Sequence, residues 1–176
     1  MRIAGMPFAL LFASLLAACA TQPGEPPVRP RDSPALEVVV VRHAEKLADG
    51  NDPALSDPGR ARAQRLAHLL RDAPLVAVYS TDTQRTRQTA KPSADAHGLA
   101  LTIYDPRVPP AEFVARLREM HPHGTVLVVG HSNTAPAIAA ALCRCGVEPM
   151  AETEFDRVMR VDFAADGTAR LSVERD

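Results

Sequence analysis

Three short stretches interrupt an otherwise mixed chain with almost unrelieved apolar residues: ALEVVVV at 35–41, PLVAVYS at 74–80 and TVLVVGH at 125–131. Each is valine-rich and none alternates. A strand with one wet face would alternate, so a continuous run predicts a strand covered on both faces, as in a parallel sheet. Between the runs the apolar spacing becomes helical. Asp57-Pro58 reads as an N-cap followed by proline at the first helical position. Ala63, Leu66, Ala67, Leu69 and Leu70 then form a stripe that runs to about Arg71. A second helix is predicted over 83–97, stopped by Gly98. A third, over 110–120, turns Phe113, Val114 and Leu117 inward, and a fourth spans 133–145 before Gly146. The segment LALTIY, 99–104, predicts another strand. Residues 155–175 alternate about Asp166-Gly167, which predicts a hairpin. Strands alternating with helices make βαβ units. The predicted fold class is therefore α/β: a three-layer α/β/α sandwich with a mainly parallel, mixed central sheet and a C-terminal β-hairpin.

The first 35 residues follow a different pattern. MRIAGMPFALLFASLLAACA has one basic residue, Arg2, and then an apolar stretch to Ala18. It is short and rich in small residues, which predicts a secretory signal peptide rather than a spanning helix. Leu16-Ala17-Ala18-Cys19 resembles the bacterial lipobox, in which the leader is cut before a lipidated cysteine. The alternatives are plain cleavage near Ala20 or a buried cysteine. The expected organisation is a lipoprotein signal peptide at 1–18, a proline-rich tether at 19–35 and one folded domain at 36–176. The tether should be an extended, solvated spacer. Several acyl chains on Cys19 would hold the membrane stably. By the same resemblance, Ala20 after Cys19 favours the outer membrane, facing the periplasm. Net charge is −1 over 176 residues, which argues against a nucleic-acid partner. Cys143 and Cys145, two apart on a predicted helix, should point to nearly opposite sides and are expected to be free thiols.

The candidate chemistry lies where the apolar runs end. In open α/β sheets, ligands bind beyond the carboxyl ends of the strands. Here the first run ends at Arg42-His43, the second enters TDTQRTRQTA after Ser80, and the third ends at His131-Ser132-Asn133. Arginine offers a rigid fork of donors that matches phosphate oxygens. Histidine serves as base or nucleophile near neutral pH. A helix N-terminus beyond His131 adds backbone N–H groups and a positive dipole. The combination predicts a dianion receptor around an imidazole. No G-x-x-x-x-G-K-[ST] loop is present, and no G-x-G-x-x-G follows a strand. Arginines beside the imidazoles would repel a cation, so no metal or cofactor is expected.

These motifs together resemble the histidine phosphatase superfamily, also called phosphoglycerate-mutase-like. The chain has VVVVRHAEK with Ala44 where glycine is usual, then LSDPGRARAQ, QRTRQTA and a strand running into Gly130-His131, in the family's order. The resemblance implies that His43 is the nucleophile, forming a phosphohistidine that water then hydrolyses. Arg42, Arg85 and His131 would bind the phosphate. Arg87, two residues beyond Arg85 on a helix, should face elsewhere. In one branch of the superfamily an aspartate directly follows the second histidine; Ser132 stands there in this chain. The general acid is then Asp105, Glu45, or absent where the leaving group needs none. His121 and His123 are expected at the surface, and His68 and His97 solvated or at helix ends. The implied activity is that of a histidine acid phosphatase-like phosphoric monoester hydrolase, acting on a small-molecule phosphate ester or on phosphohistidine in a phosphoprotein. The alternatives are a phosphomutase and a lipid-anchored phosphate-ligand binding protein without turnover.

Overall fold

The computed structural model describes Met1 and residues 36–176. Apart from Met1, the expected signal peptide at 1–18 and the expected tether at 19–35, with Cys19, lie outside the described residues. Strand β1 (Leu36–Arg42) sits inside a six-stranded sheet with the order β3-β2-β4-β1-β5-β6. It pairs in parallel with β4 (Gly124–Gly130), which pairs in parallel with β2 (Leu75–Ser80), which carries β3 (Leu101–Ile103) at the edge. On its other side β1 meets β5 (Arg157–Phe163) antiparallel, and β6 (Ala169–Arg175) closes the hairpin. The turn places Gly167 at φ +82°, a conformation glycine adopts without penalty. The sheet is thus mixed and mainly parallel, as the patterning predicts.

The valine runs are continuous because helices cover both faces. Val38 and Val40 join Val126 and Val128 in one core with Phe113, Leu117, Ile138 and Leu142. These belong to α3 (Pro110–Met120) and α4 (Thr134–Cys143). Val39 and Val41 join Leu127 and Val129 in a second core with Leu66 of α1 (Asp57–Leu69), its C-cap Leu70, and Ala90 and Ala94 of α2 (Gln84–Ala96). Alternate side chains of one strand therefore feed opposite cores. Burying each valine contributes about 1.5–3 kcal/mol, so β1 is firmly held up to its last residue.

Four local expectations are corrected. The N-cap of α1 is Ser56, not Asp57: its extended backbone lets its Oγ accept from the Gly59 N–H at 3.3 Å, while Asp57 lies in the first turn. Strand β3 is shorter than 99–104, because its one neighbour pairs only with Leu101–Ile103. Cys143 and Cys145 form a disulfide, with Cα atoms 5.2 Å apart. The helical argument fails there because Arg144 takes a left-handed conformation, φ +53°, and ends α4. Cys145 is already outside the helix. His121 is half-buried rather than a free surface residue, with Nε2 2.9 Å from the Tyr79 hydroxyl. His97 does close α2, with Nε2 3.1 Å from the Leu70 carbonyl.

Candidate active site

Parallel pairing brings the predicted strand ends together. In the register of β1 and β4, Arg42 stands opposite Gly130. The His43 N–H then donates to the Gly130 carbonyl at 2.9 Å, so the next residue on each strand, His43 and His131, leaves the sheet side by side. Their rings lie 5.5 Å apart, edge to face. Gly130 is needed for this exit: a Cβ would stand 2.8 Å from the Thr134 Oγ1 and 3.1 Å from the Tyr104 hydroxyl. Thr134 in turn accepts the His131 N–H at 2.9 Å. Strand β2 lies on the far side of β4, and α2 begins four residues after it, which places Arg85 in the first turn beside the same edge.

The nucleophile candidate is held from all sides. His43 is 3% exposed. Its Nδ1 lies 2.8 Å from the Ala44 carbonyl. A carbonyl only accepts, so Nδ1 carries the proton and Nε2 keeps its lone pair. Ala44 is anchored through its own N–H, which donates to the Thr89 Oγ1 at 2.9 Å, and Thr89 Oγ1 donates to the Arg85 carbonyl at 2.7 Å. One threonine therefore ties the histidine loop to the arginine helix. Burial, more than neighbouring charge, lowers the His43 pKa to about 4, and Arg42, His131 and Arg85 push it the same way. His131 is also lowered to about 4, by burial and then by Arg85 and Arg42. Both rings are neutral at pH 7. The Nε2 of His131 lies 2.9 Å from the Thr81 Oγ1, which continues to Thr86 Oγ1 at 3.0 Å.

Arg42 is fixed by the loop after α4. Its Nη1 donates to the carbonyls of Ala151, Glu152 and Glu154 at 2.9–3.0 Å. Its guanidinium stacks 4.3 Å above the Phe155 ring, and that ring lies 6.1 Å from His43. Arg85 meets Asp52 at 3.5 Å, and Asp52 caps α2 by accepting the Gln84 N–H at 3.0 and 3.1 Å. The Nε atoms of Arg42 and Arg85 are both buried and have no hydrogen-bond partner among the described residues. A buried donor without a partner costs about 1–3 kcal/mol, and two such donors around a neutral imidazole suit an anion. Arg87 pairs outward with Asp82 at 2.7 Å.

The two carboxylates singled out as proton donors are engaged elsewhere. Asp105 receives Arg107 on both oxygens, at 2.7–3.1 Å, and this pairing lowers its pKa to about 2. Glu45 receives Arg62 at 2.8–3.2 Å, which holds it below the usual carboxylate range, and Arg62 also pairs with Asp176. The Glu45 carbonyl, rather than its carboxylate, serves the site: it accepts from the Ser56 N–H at 3.0 Å and Ser56 Oγ at 3.1 Å. The structure adds residues that sequence patterning did not single out: Thr81, Thr89, Asp52, Glu152 and Phe155. Glu152 lies in a loop without periodicity and no motif marks it; Phe155 falls inside the predicted hairpin, but β5 begins only at Arg157, which leaves its ring in the preceding loop.

A family model described as "Histidine phosphatase superfamily (branch 1)" matches residues 38–108. A protein of Erwinia tasmaniensis named "Probable phosphoglycerate mutase GpmB" is 35% identical over 80 residues, 42% of this chain and 37% of that one. Its namesake in Yersinia pestis is 36% identical over the same length. The chain thus matches little more than a third of the length of these curated relatives. Among solved structures, the protein histidine phosphatase SixA complexed with tungstate superposes with a TM-score of 0.66 at 19% identity, covering 79% of this chain and 96% of that one. A phosphoserine phosphatase of Entamoeba histolytica in complex with 3-phosphoglyceric acid gives 0.63 at 14% identity, covering 80% and 98%. At these identities the likeness is one of fold.

Proposed function

Because the chain belongs to the histidine phosphatase superfamily, we propose that it is a phosphatase that works through a phosphohistidine on His43. The observation that carries this reading is the pair of buried, unpartnered guanidinium Nε atoms beside a neutral, tautomer-fixed imidazole. The Nε2 of His43 attacks phosphorus while Arg42, Arg85 and His131 hold the non-bridging oxygens, where charge develops in transfer. Water then attacks the phosphohistidine and returns His43 to its starting state. The substrate is a phosphate monoester or the phosphoramidate of a phosphohistidine protein. The solved structures named for a histidine phosphatase and a phosphoserine phosphatase support these two classes. The curated relatives' mutase name favours a second reading, in which the phosphoryl group passes to an acceptor hydroxyl instead of water. The lipobox resemblance at 16–19 supports attachment to the cell envelope through Cys19, which labelled fatty acid should mark in wild type and not in C19S.

The test is hydrolysis of an aryl phosphate, an alkyl phosphate and a phosphoramidate, with inorganic phosphate as the readout. H43A should abolish release, and rapid quenching of wild type should trap acid-labile phosphate on His43. Transfer to an added acceptor in preference to water would favour the mutase. No release and no trapped label with all three substrates would overturn the hydrolase.

A further inference from the structure

The carboxylates around the strand tips differ in what holds them. Glu45 and Asp105 are each gripped by their own arginine, and Asp52 caps α2. Glu154 is locked by Arg157 and Arg175. Glu152 is different. Its Oε2 accepts from the Arg42 Nη2 at 3.1 Å and its Oε1 from the Ser132 Oγ at 2.7 Å. It therefore bridges the arginine before His43 to the serine after His131, while its side chain remains 81% exposed.

Arg42 has little donor capacity to spare. Its Nη1 serves three carbonyls, so Nη2 and the unpartnered Nε are what it can offer an anion. Glu152 takes one of the two Nη2 hydrogens. A phosphoryl dianion that replaces the carboxylate on Nη2 releases it from Arg42, leaving Ser132 Oγ as its side-chain partner while the Glu152 backbone carbonyl stays on Nη1. The released group then faces a new negative charge instead of a guanidinium. A like charge favours the protonated form of a carboxyl group.

Resting on the phosphatase reading above, we propose that Glu152 is the proton-transfer residue for the leaving group, kept on Arg42 and Ser132 until substrate displaces it. On displacement it takes a proton from solvent. In the first half-reaction the His43 Nε2–P bond forms as the P–O bond to the leaving group breaks, and the Glu152 carboxyl proton goes to the departing oxygen. In the second, the oxygen of water bonds to phosphorus as the P–Nε2 bond breaks, and a proton of that water returns to the Glu152 carboxylate. A substrate whose leaving group departs already protonated, such as a phosphoramidate, does not draw on this residue in the first half-reaction, the one that kcat/KM reports.

The test compares the full chain with E152Q, which keeps the length of the side chain and an acceptor for Arg42. Positioned proton transfer contributes about 10²–10⁴-fold. For an alkyl phosphate, E152Q should lower kcat/KM by about 10²-fold or more. For an aryl phosphate and a phosphoramidate it should stay near wild type, with an unchanged thermal unfolding midpoint. Equal loss on all three substrates, or loss on none, overturns the assignment while leaving the phosphatase in place. A wild type inactive on all three overturns both.

Discussion

Replacing Gly59 by alanine tests how the histidine loop is supported. Gly59 lies in the first turn of α1 with an ordinary φ, so alanine itself should favour the helix by about 0.5–1 kcal/mol. The space decides otherwise. A Cβ at this position would stand 2.0 Å from the Glu45 carbonyl oxygen and 2.9 Å from its carbon. Both are backbone atoms of the loop that follows His43, so no rotamer can relieve the overlap. The helix must withdraw, and with it the two hydrogen bonds from Ser56 to the Glu45 carbonyl. Overpacking costs about 1–3 kcal/mol and each hydrogen bond about 0.5–1.5 kcal/mol. Against the helical gain, the net loss is about 1–5 kcal/mol, or a Tm lowered by about 3–20 °C for a domain of this size. The assay is thermal and urea unfolding of G59A beside G146A, whose added methyl meets no atom within 4 Å. Turnover of G59A should fall as well, since displacing the Glu45 carbonyl moves the loop that fixes Ala44 and the His43 tautomer. A G59A protein as stable as G146A would refute this account of the loop.

Two further outcomes follow from the site. T89V keeps the shape of Thr89 but strips the acceptor from the buried Ala44 N–H; the cost should be about 1–3 kcal/mol in urea unfolding, with a lower kcat, and an unchanged midpoint would contradict the proposed tie between the two loops. Stability should also fall as pH drops from about 6.5 towards 4. His43 and His131 are neutral in the folded state down to about 4, whereas the unfolded chain takes up their protons near 6.5. The unfolded state then binds more protons, so the contribution is complete above 6.5 and lost below it, with a slope of up to about 1.4 kcal/mol per pH unit for each ring. Urea midpoints at pH 7, 6 and 5 measure this. H131N should shallow the dependence, and equal slopes in the two proteins would contradict the assignment.

The hydrophobic pattern alone determined the element order, the double-covered parallel strands and the hairpin at Asp166-Gly167, because continuous and alternating runs are local consequences of which faces water reaches. It also determined that Arg42, His43, Arg85 and His131 belong to one edge, because parallel strands deliver their carboxyl ends to the same side. The tertiary structure decided what each polar group does there. Asp105 and Glu45 looked available in sequence, but arginines 2 and 17 residues away claim them. Glu152 reaches Arg42 across 110 residues, a distance no periodicity encodes. The disulfide depended on one backbone angle at Arg144, and the N-cap of α1 on the extended backbone of Ser56. Apolar burial sums over many residues, so a pattern can carry it. A hydrogen bond or ion pair depends on a few ångströms between two named atoms, and those positions exist only once the whole chain has packed.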